Sequence, residues 1–225
     1  MEDGQRYWAF ISYSHSDEKW ASWLHPALEA YRVPGRLVGR QTSVGPAPAF
    51  LKPIFRDRGD LAAAADLKGR VGAALEQSGF MIVVCSPAAA HSRWVNDEIL
   101  EFKRLHGEAR VLSVVVAGEP QAAEWRGHEQ LECFPRALRF RLGADGALTD
   151  EPAEPIAADL RPGRDGRRAS LLKLAAGMLG IELDELVRRD TQRRHNRFIG
   201  LIAVSPSATM RWPSAPKPKA SSSSC

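Results

Sequence analysis

The chain has 225 residues, 44% hydrophobic and 26% charged, with a formal net charge of +4. That length and composition suit one globular domain with a proper core and a short appendage. The charge is uneven: residues 188–225 hold eight of the 31 Lys+Arg and one of the 27 Asp+Glu, a net of +7, which leaves residues 1–187 at −3. A slightly acidic main body argues against a nucleic-acid-binding domain.

Cys85, Cys133 and Cys225 show no paired or metal-ligand spacing, which points to a reducing compartment and no metal site. Met1 to Arg6 is polar, and the apolar run after it is too short for a secretory signal. No stretch reaches the ~18 apolar residues of a membrane span. The expectation is a cytoplasmic protein.

Tyr7 to Ser12 (YWAFIS) reads as a short buried strand. Tyr13 to Asp17 is a polar turn in which Ser16 or Asp17 can cap the next helix, where Trp20, Trp23, Leu24, Ala27, Leu28 and Tyr31 recur at helical spacing. Val33 to Pro53 is rich in Pro and Gly and long for a loop, which suggests a functional or mobile excursion. Pro53 to Arg56 looks like a second short strand, Asp57 to Asp60 a charged turn, and Ala62 to Gln77 a helix.

Phe80 to Cys85 is uninterrupted apolar, the mark of a strand covered on both faces in a parallel sheet. A helix follows from about Ser92 to His106, with Gly107 as its stop. Val111 to Val116 is a fourth strand, Leu138 to Phe140 reads as a fifth at an edge, and Gly143 to Pro155 reads as loop. Gly166 to Leu179 and Leu183 to Arg197 read as helices, the second basic. Alternation of strand and helix at these lengths means βαβ units, a parallel sheet and helices on both faces. Ligands bind such sheets beyond the C-terminal strand ends, where the strand order reverses.

The helix after the third strand holds the main candidate for chemistry. Ser92 can cap it, and Val95, Ile99 and Phe102 form its apolar stripe. Glu98 lies about 65° off the centre of that stripe, one turn beyond Trp94 on the same face. Such a flank position is neither fully buried nor fully solvated. Two readings stand: a carboxylate facing a pocket, or a solvated helix acid beside a core-edge tryptophan.

Phe10-Ile11-Ser12-Tyr13, then Phe55-Arg56-Asp57 before a charged loop, then Ser92-x-Trp94-Val95-x-x-Glu98 resemble the three boxes of a Toll/interleukin-1 receptor (TIR) domain. The resemblance is to bacterial TIR proteins and covers roughly Arg6 to Leu179. It implies an α/β, flavodoxin-like fold with a five-stranded parallel sheet in the order 2-1-3-4-5 and helices on both faces. The TIR domain would span 1–180, followed by a basic helix and short apolar stub over 181–204 and a disordered tail over 205–225.

The resemblance also implies function. Many TIR domains cleave NAD+ to nicotinamide and ADP-ribose or a cyclic variant, switched on by self-association, in signalling or anti-phage defence. They depend on a glutamate in this helix, which here matches Glu98 as the catalytic residue. The substrate-binding candidates are Ser12, Tyr13, His15, Arg56, Asp57 and Trp94. Tyr13 could instead only cap the sheet, His15 sit in a solvated turn, and Arg56 and Asp57 pair at the surface. NAD+ would be substrate, with no cofactor. No Gly-rich phosphate loop is present, so any NAD+ site is built differently from that of a Rossmann enzyme.

The alternative within the family is a scaffold that only binds other TIR domains. A response-regulator reading fails for want of a carboxylate in Tyr13 to Ser16. Arg188 to Arg197 holds five arginines ahead of the seven-residue apolar run Phe198 to Val204. Three readings fit: a truncated or frameshifted anchor, a soluble tail, or a basic helix that contacts anionic membranes.

Overall fold

The computed structural model describes residues 4–56 and 67–187. Asp57, the charged turn after it and the first residues of the expected second helix lie outside the described residues. So do the basic helix and tail from 188 onward, although residues 183–187 are helical.

Five strands form one sheet: β1 (Tyr7–Ser12), β2 (Ile54–Arg56), β3 (Ser78–Cys85), β4 (Val111–Val115) and β5 (Ala157–Asp159). Their order is β2-β1-β3-β4-β5 and every pairing is parallel, as the flavodoxin-like expectation required. The order reverses between β1 and β3. β3 is buried along all eight residues, which is why its sequence shows no alternation.

Four main helices cover the sheet: α1 (Glu18–Glu29), α2 (Leu67–Glu76), α3 (Arg93–His106) and α4 (Gly166–Leu179). Successive side chains of a strand point to opposite faces. Ala9 and Ile11 of β1 therefore enter a core with Leu24 and Leu28 of α1 and Leu174 and Met178 of α4. Phe10 enters the other core with Leu75 of α2 and Val95, Ile99 and Phe102 of α3.

Three expectations change. The fifth strand is Ala157–Asp159, where Leu138 to Phe140 was expected. Leu138 lies in a short helix, Arg136–Arg139, and Phe140–Leu142 pairs antiparallel with Leu148–Pro152 in a hairpin outside the main sheet. A three-residue strand of sequence AAD carries too little apolar signal to register, whereas Leu-Arg-Phe carries more. The Pro/Gly-rich stretch from Val33 is also no loose excursion. Val33, Leu37, Ala47 and Leu51 are buried in the α1 core, and Val33 and Gly39 donate to the carbonyls of Ala49 and Ala47.

The third change concerns the start of α1. Asp17 holds the N-cap position but makes no side-chain cap bond, because its carboxylate is engaged elsewhere. At the edge strand β2, Glu29 of α1 accepts the Ile54 N–H at 2.8 Å, and His25 Nε2 donates to the Ile54 carbonyl at 3.0 Å. Side chains of a helix thus take the place of a sixth strand.

Candidate functional site

The helix that carries Glu98 begins where its sequence says it should. Ser92 Oγ accepts the Val95 N–H at 3.3 Å, and Gly107 closes the helix at φ +83° after the basic residues Lys103, Arg104 and His106. Asn96 fixes its first turn: Nδ2 donates to the carbonyls of Ala90 and Ser92, and Oδ1 accepts the Ala137 N–H at 2.9 Å.

Glu98 is 4% exposed, deeper than a flank position on the helix's own stripe predicts. The difference comes from the sheet. Ser12, the last residue of β1, points to the α3 side by strand alternation and donates its hydroxyl to Glu98 Oε2 at 2.5 Å. Periodicity within a helix cannot see a donor supplied by a strand 86 residues away. A hydroxyl donating to a carboxylate at this distance is a strong, charge-assisted bond.

A cavity of about 490 Å³ opens beside this pair, lined by Val71 and Gly72 of α2 and by Arg93, Trp94, Asp97, Glu98 and Glu101 of α3. Trp94 is 38% exposed, so its ring is available to a ligand. Arg93 Nε stands 3.6 Å from Asp97 Oδ2. Three carboxylates against one guanidinium give the cavity a net charge of −2 with all groups ionised. That environment suits a cationic group at its floor and a developing positive charge even better.

The other sequence candidates lie elsewhere. The side chain of Tyr13 is buried in the α1 core, on the opposite sheet face from Glu98. His15 is exposed in a 3-10 turn with Nδ1 3.9 Å from Glu18. Arg56 donates from Nη1 to Ser22 Oγ at 2.7 Å. Asp57 is outside the described residues. Glu98, Ser12 and Trp94 are therefore brought together, while His15 and Arg56 lie at the rim past the C-terminal ends of β1 and β2 and Tyr13 is turned into the core.

Arg93, Asp97 and Glu101 were not singled out in the sequence. Their i, i+4, i+8 spacing beside Trp94 and Glu98 was the available signal. A second buried pair was also hidden: Ser86, just after β3, donates to Asp17 Oδ2 at 2.5 Å and accepts the Ala89 N–H at 3.1 Å. Burial holds the Asp17 carboxyl above its ordinary value, against the opposing Ser86 hydrogen bond and the Lys19 charge. The two serine–carboxylate bonds flank the point where the strand order reverses. Among the described residues no group of three or more His, Cys, Asp or Glu gathers as a metal site, and no helix is long and apolar enough to cross a membrane.

The family model for the TIR domain matches residues 9–138. The chain is 36% identical to the NAD(+) hydrolase ApTIR of Actinoplanes sp., over 88% of this chain and 27% of that protein. It thus spans about a quarter of the length of the curated relative it matches. Among solved structures, the TIR domains of the activated Roq1 resistosome, which directly recognises the pathogen effector XopQ, align with 56% of this chain and 66% of that chain at 20% identity and a TM-score of 0.39.

Proposed function

The chain belongs to the TIR domain family, and from that premise we propose that it is an NAD+ glycohydrolase, cleaving the nicotinamide–ribose bond with Glu98 as its catalytic carboxylate. The observation that carries the reading is the Glu98 carboxylate, held by Ser12, in the lining of an acidic cavity that Trp94 also lines. The identity to an NAD+ hydrolase over 88% of the chain supports it.

Cleavage of an N-ribosyl bond passes through an oxocarbenium-like state, as glycoside hydrolysis does. Ser12 holds Glu98 by Oε2, so the carboxylate is aimed before substrate arrives. Its charge offsets the positive charge that grows on the ribose as nicotinamide leaves, and its oxygens can accept from the ribose hydroxyls. Asp97 and Glu101 add to the same field. Trp94 gives the pyridinium ring a face to stack on. Nicotinamide leaves neutral, and water takes its place on the ribosyl carbon to give ADP-ribose; attack from within the adenosine half would give a cyclic product. Tyr13, His15, Arg56 and Asp57 stay in this proposal as candidates for the distal half of the dinucleotide, His15 and Arg56 from the rim past the C-terminal ends of β1 and β2.

The reaction is gated by association with further TIR domains and serves signalling or defence. The basic segment Arg188 to Arg197 would add a contact with anionic membrane surfaces.

The test is nicotinamide release from NAD+ by the protein clustered on beads or liposomes, with Glu98→Ala beside it. Release that disappears in the variant supports the assignment. Release that persists removes Glu98 from the role. No release even when clustered favours the non-catalytic scaffold.

A further inference from the structure

A second cavity, of about 470 Å³, lies on the other side of α2, against the edge strand β2. Arg70, Ala73, Ala74 and Gln77 face it at i, i+3, i+4 and i+7, so they share one side of the helix. The two alanines keep the middle of that face shallow, and the space lies between the longer side chains at its ends. Arg6, just before β1, enters from the sheet side, and its guanidinium rests 5.4 Å from the Tyr7 ring centroid. Ile54 and Phe55, both buried, form the floor.

The charges here are of the opposite sign to those beside Glu98. Among the described residues, neither Arg6 nor Arg70 has an ion pair or a side-chain hydrogen bond to protein. The one carboxylate in the lining, Glu29, is already engaged by the Ile54 N–H at 2.8 Å and lies 3.7 Å from His25 Nε2. His25 Nε2 is held by the Ile54 carbonyl. The lining therefore carries a net charge of +1 with His25 counted as neutral, and neither cation has an anionic partner among the described residues. A planar guanidinium fork matches the oxygens of a phosphoryl group, and two such forks lining one cavity supply the charge for a dianion.

We infer that this cavity is a binding site for a phosphoryl dianion, held between Arg6 and Arg70 with the Gln77 amide as a further donor. The dianion is either inorganic phosphate or the monophosphate end of a nucleotide. The site is separate from the Glu98 cavity, whose net charge repels such an anion, and it does not depend on the NAD+ reading.

The test is calorimetric titration of the full chain at low ionic strength, where exposed guanidinium–anion contacts are least screened. The probes are inorganic phosphate, AMP and adenosine. Phosphate and AMP should bind and adenosine should not. Arg70→Ala and Arg6→Ala should each weaken binding on the order of tenfold or more, the range for a lost hydrogen bond to a charged group. Arg93→Ala, which removes the guanidinium of the other cavity, should leave it unchanged. Equal affinities for phosphate and AMP would identify free phosphate as the occupant, and a clear preference for AMP a nucleotide. Both arginines are exposed, so the variants should keep the fold, and phosphate should raise the melting temperature of the parent but not of Arg70→Ala. Binding of neither anion, binding of adenosine as tight as that of AMP, or loss in Arg93→Ala without loss in Arg70→Ala would overturn the assignment.

Discussion

Ser12→Ala separates the hydroxyl's role from the carboxylate's. The substitution removes one oxygen at a fully buried position and leaves β1 intact. What it takes away is the 2.5 Å bond to a carboxylate that is 4% exposed and so has little water to turn to. A hydrogen bond to a charged group contributes about 1.5–3 kcal/mol, against about 0.5–1.5 kcal/mol when the group is neutral. The loss should therefore be about 2 kcal/mol at neutral pH. Urea unfolding of both proteins measures the gap directly. In a Glu98→Gln background, where the hydroxyl meets a neutral amide, the gap should shrink by about 1 kcal/mol. A gap below about 0.5 kcal/mol, or one just as large in the Glu98→Gln background, would refute the claim that the Ser12 hydroxyl is bonded to a carboxylate.

Asp17→Asn tests the other buried pair. Burial raises the folded-state pKa of Asp17, so the carboxyl lowers stability as pH rises from about 4 through that folded value. The asparagine oxygen can still accept from Ser86, so the variant should gain on the parent as pH rises, and an equal difference at about pH 4 and about pH 7 would contradict this. Ser170→Ala should stabilise by about 1 kcal/mol, read as a higher urea midpoint, because Ser170 Oγ is buried in α4 with no hydrogen-bond partner among the described residues. A clear loss of stability would mean that the hydroxyl has a partner. Gly118→Ala should cost about 2 kcal/mol or more: φ is +80°, and a Cβ would stand 2.7 Å from both the Leu131 carbonyl oxygen and Pro87 Cγ. A urea midpoint close to the parent's would show that the loop after β4 can move aside.

The elements that could be read from sequence are those whose signal is local. β3 announces itself by the unbroken apolar run Phe80 to Cys85, and α3 by a cap, a stripe and a glycine stop. β5 escapes because a three-residue strand is specified by its pairing with β4, which no window of sequence contains. The site divides in the same way. Trp94 and Glu98 share a helical face by spacing alone, and the cavity holds both. The depth of Glu98 depends on Ser12, and the state of Asp17 on Ser86, contacts between residues 86 and 69 positions apart. Tyr13 stands with Ser12 among the candidates that the TIR resemblance implies, yet successive residues along a strand face opposite ways.

The side chains laid along β2 have a consequence for how copies of this domain can meet. Glu29 and His25 already occupy the outward N–H and C=O of Ile54, and at the opposite edge Asp165 accepts the Asp159 N–H at 2.8 Å. Both borders of the sheet are thus stoppered by the chain's own polar groups, where an open border would template another strand. Crowding many copies together therefore does not invite cross-β growth from either border. Copies brought together would meet through helices and loops, by contacts that depend on which side chains those surfaces display.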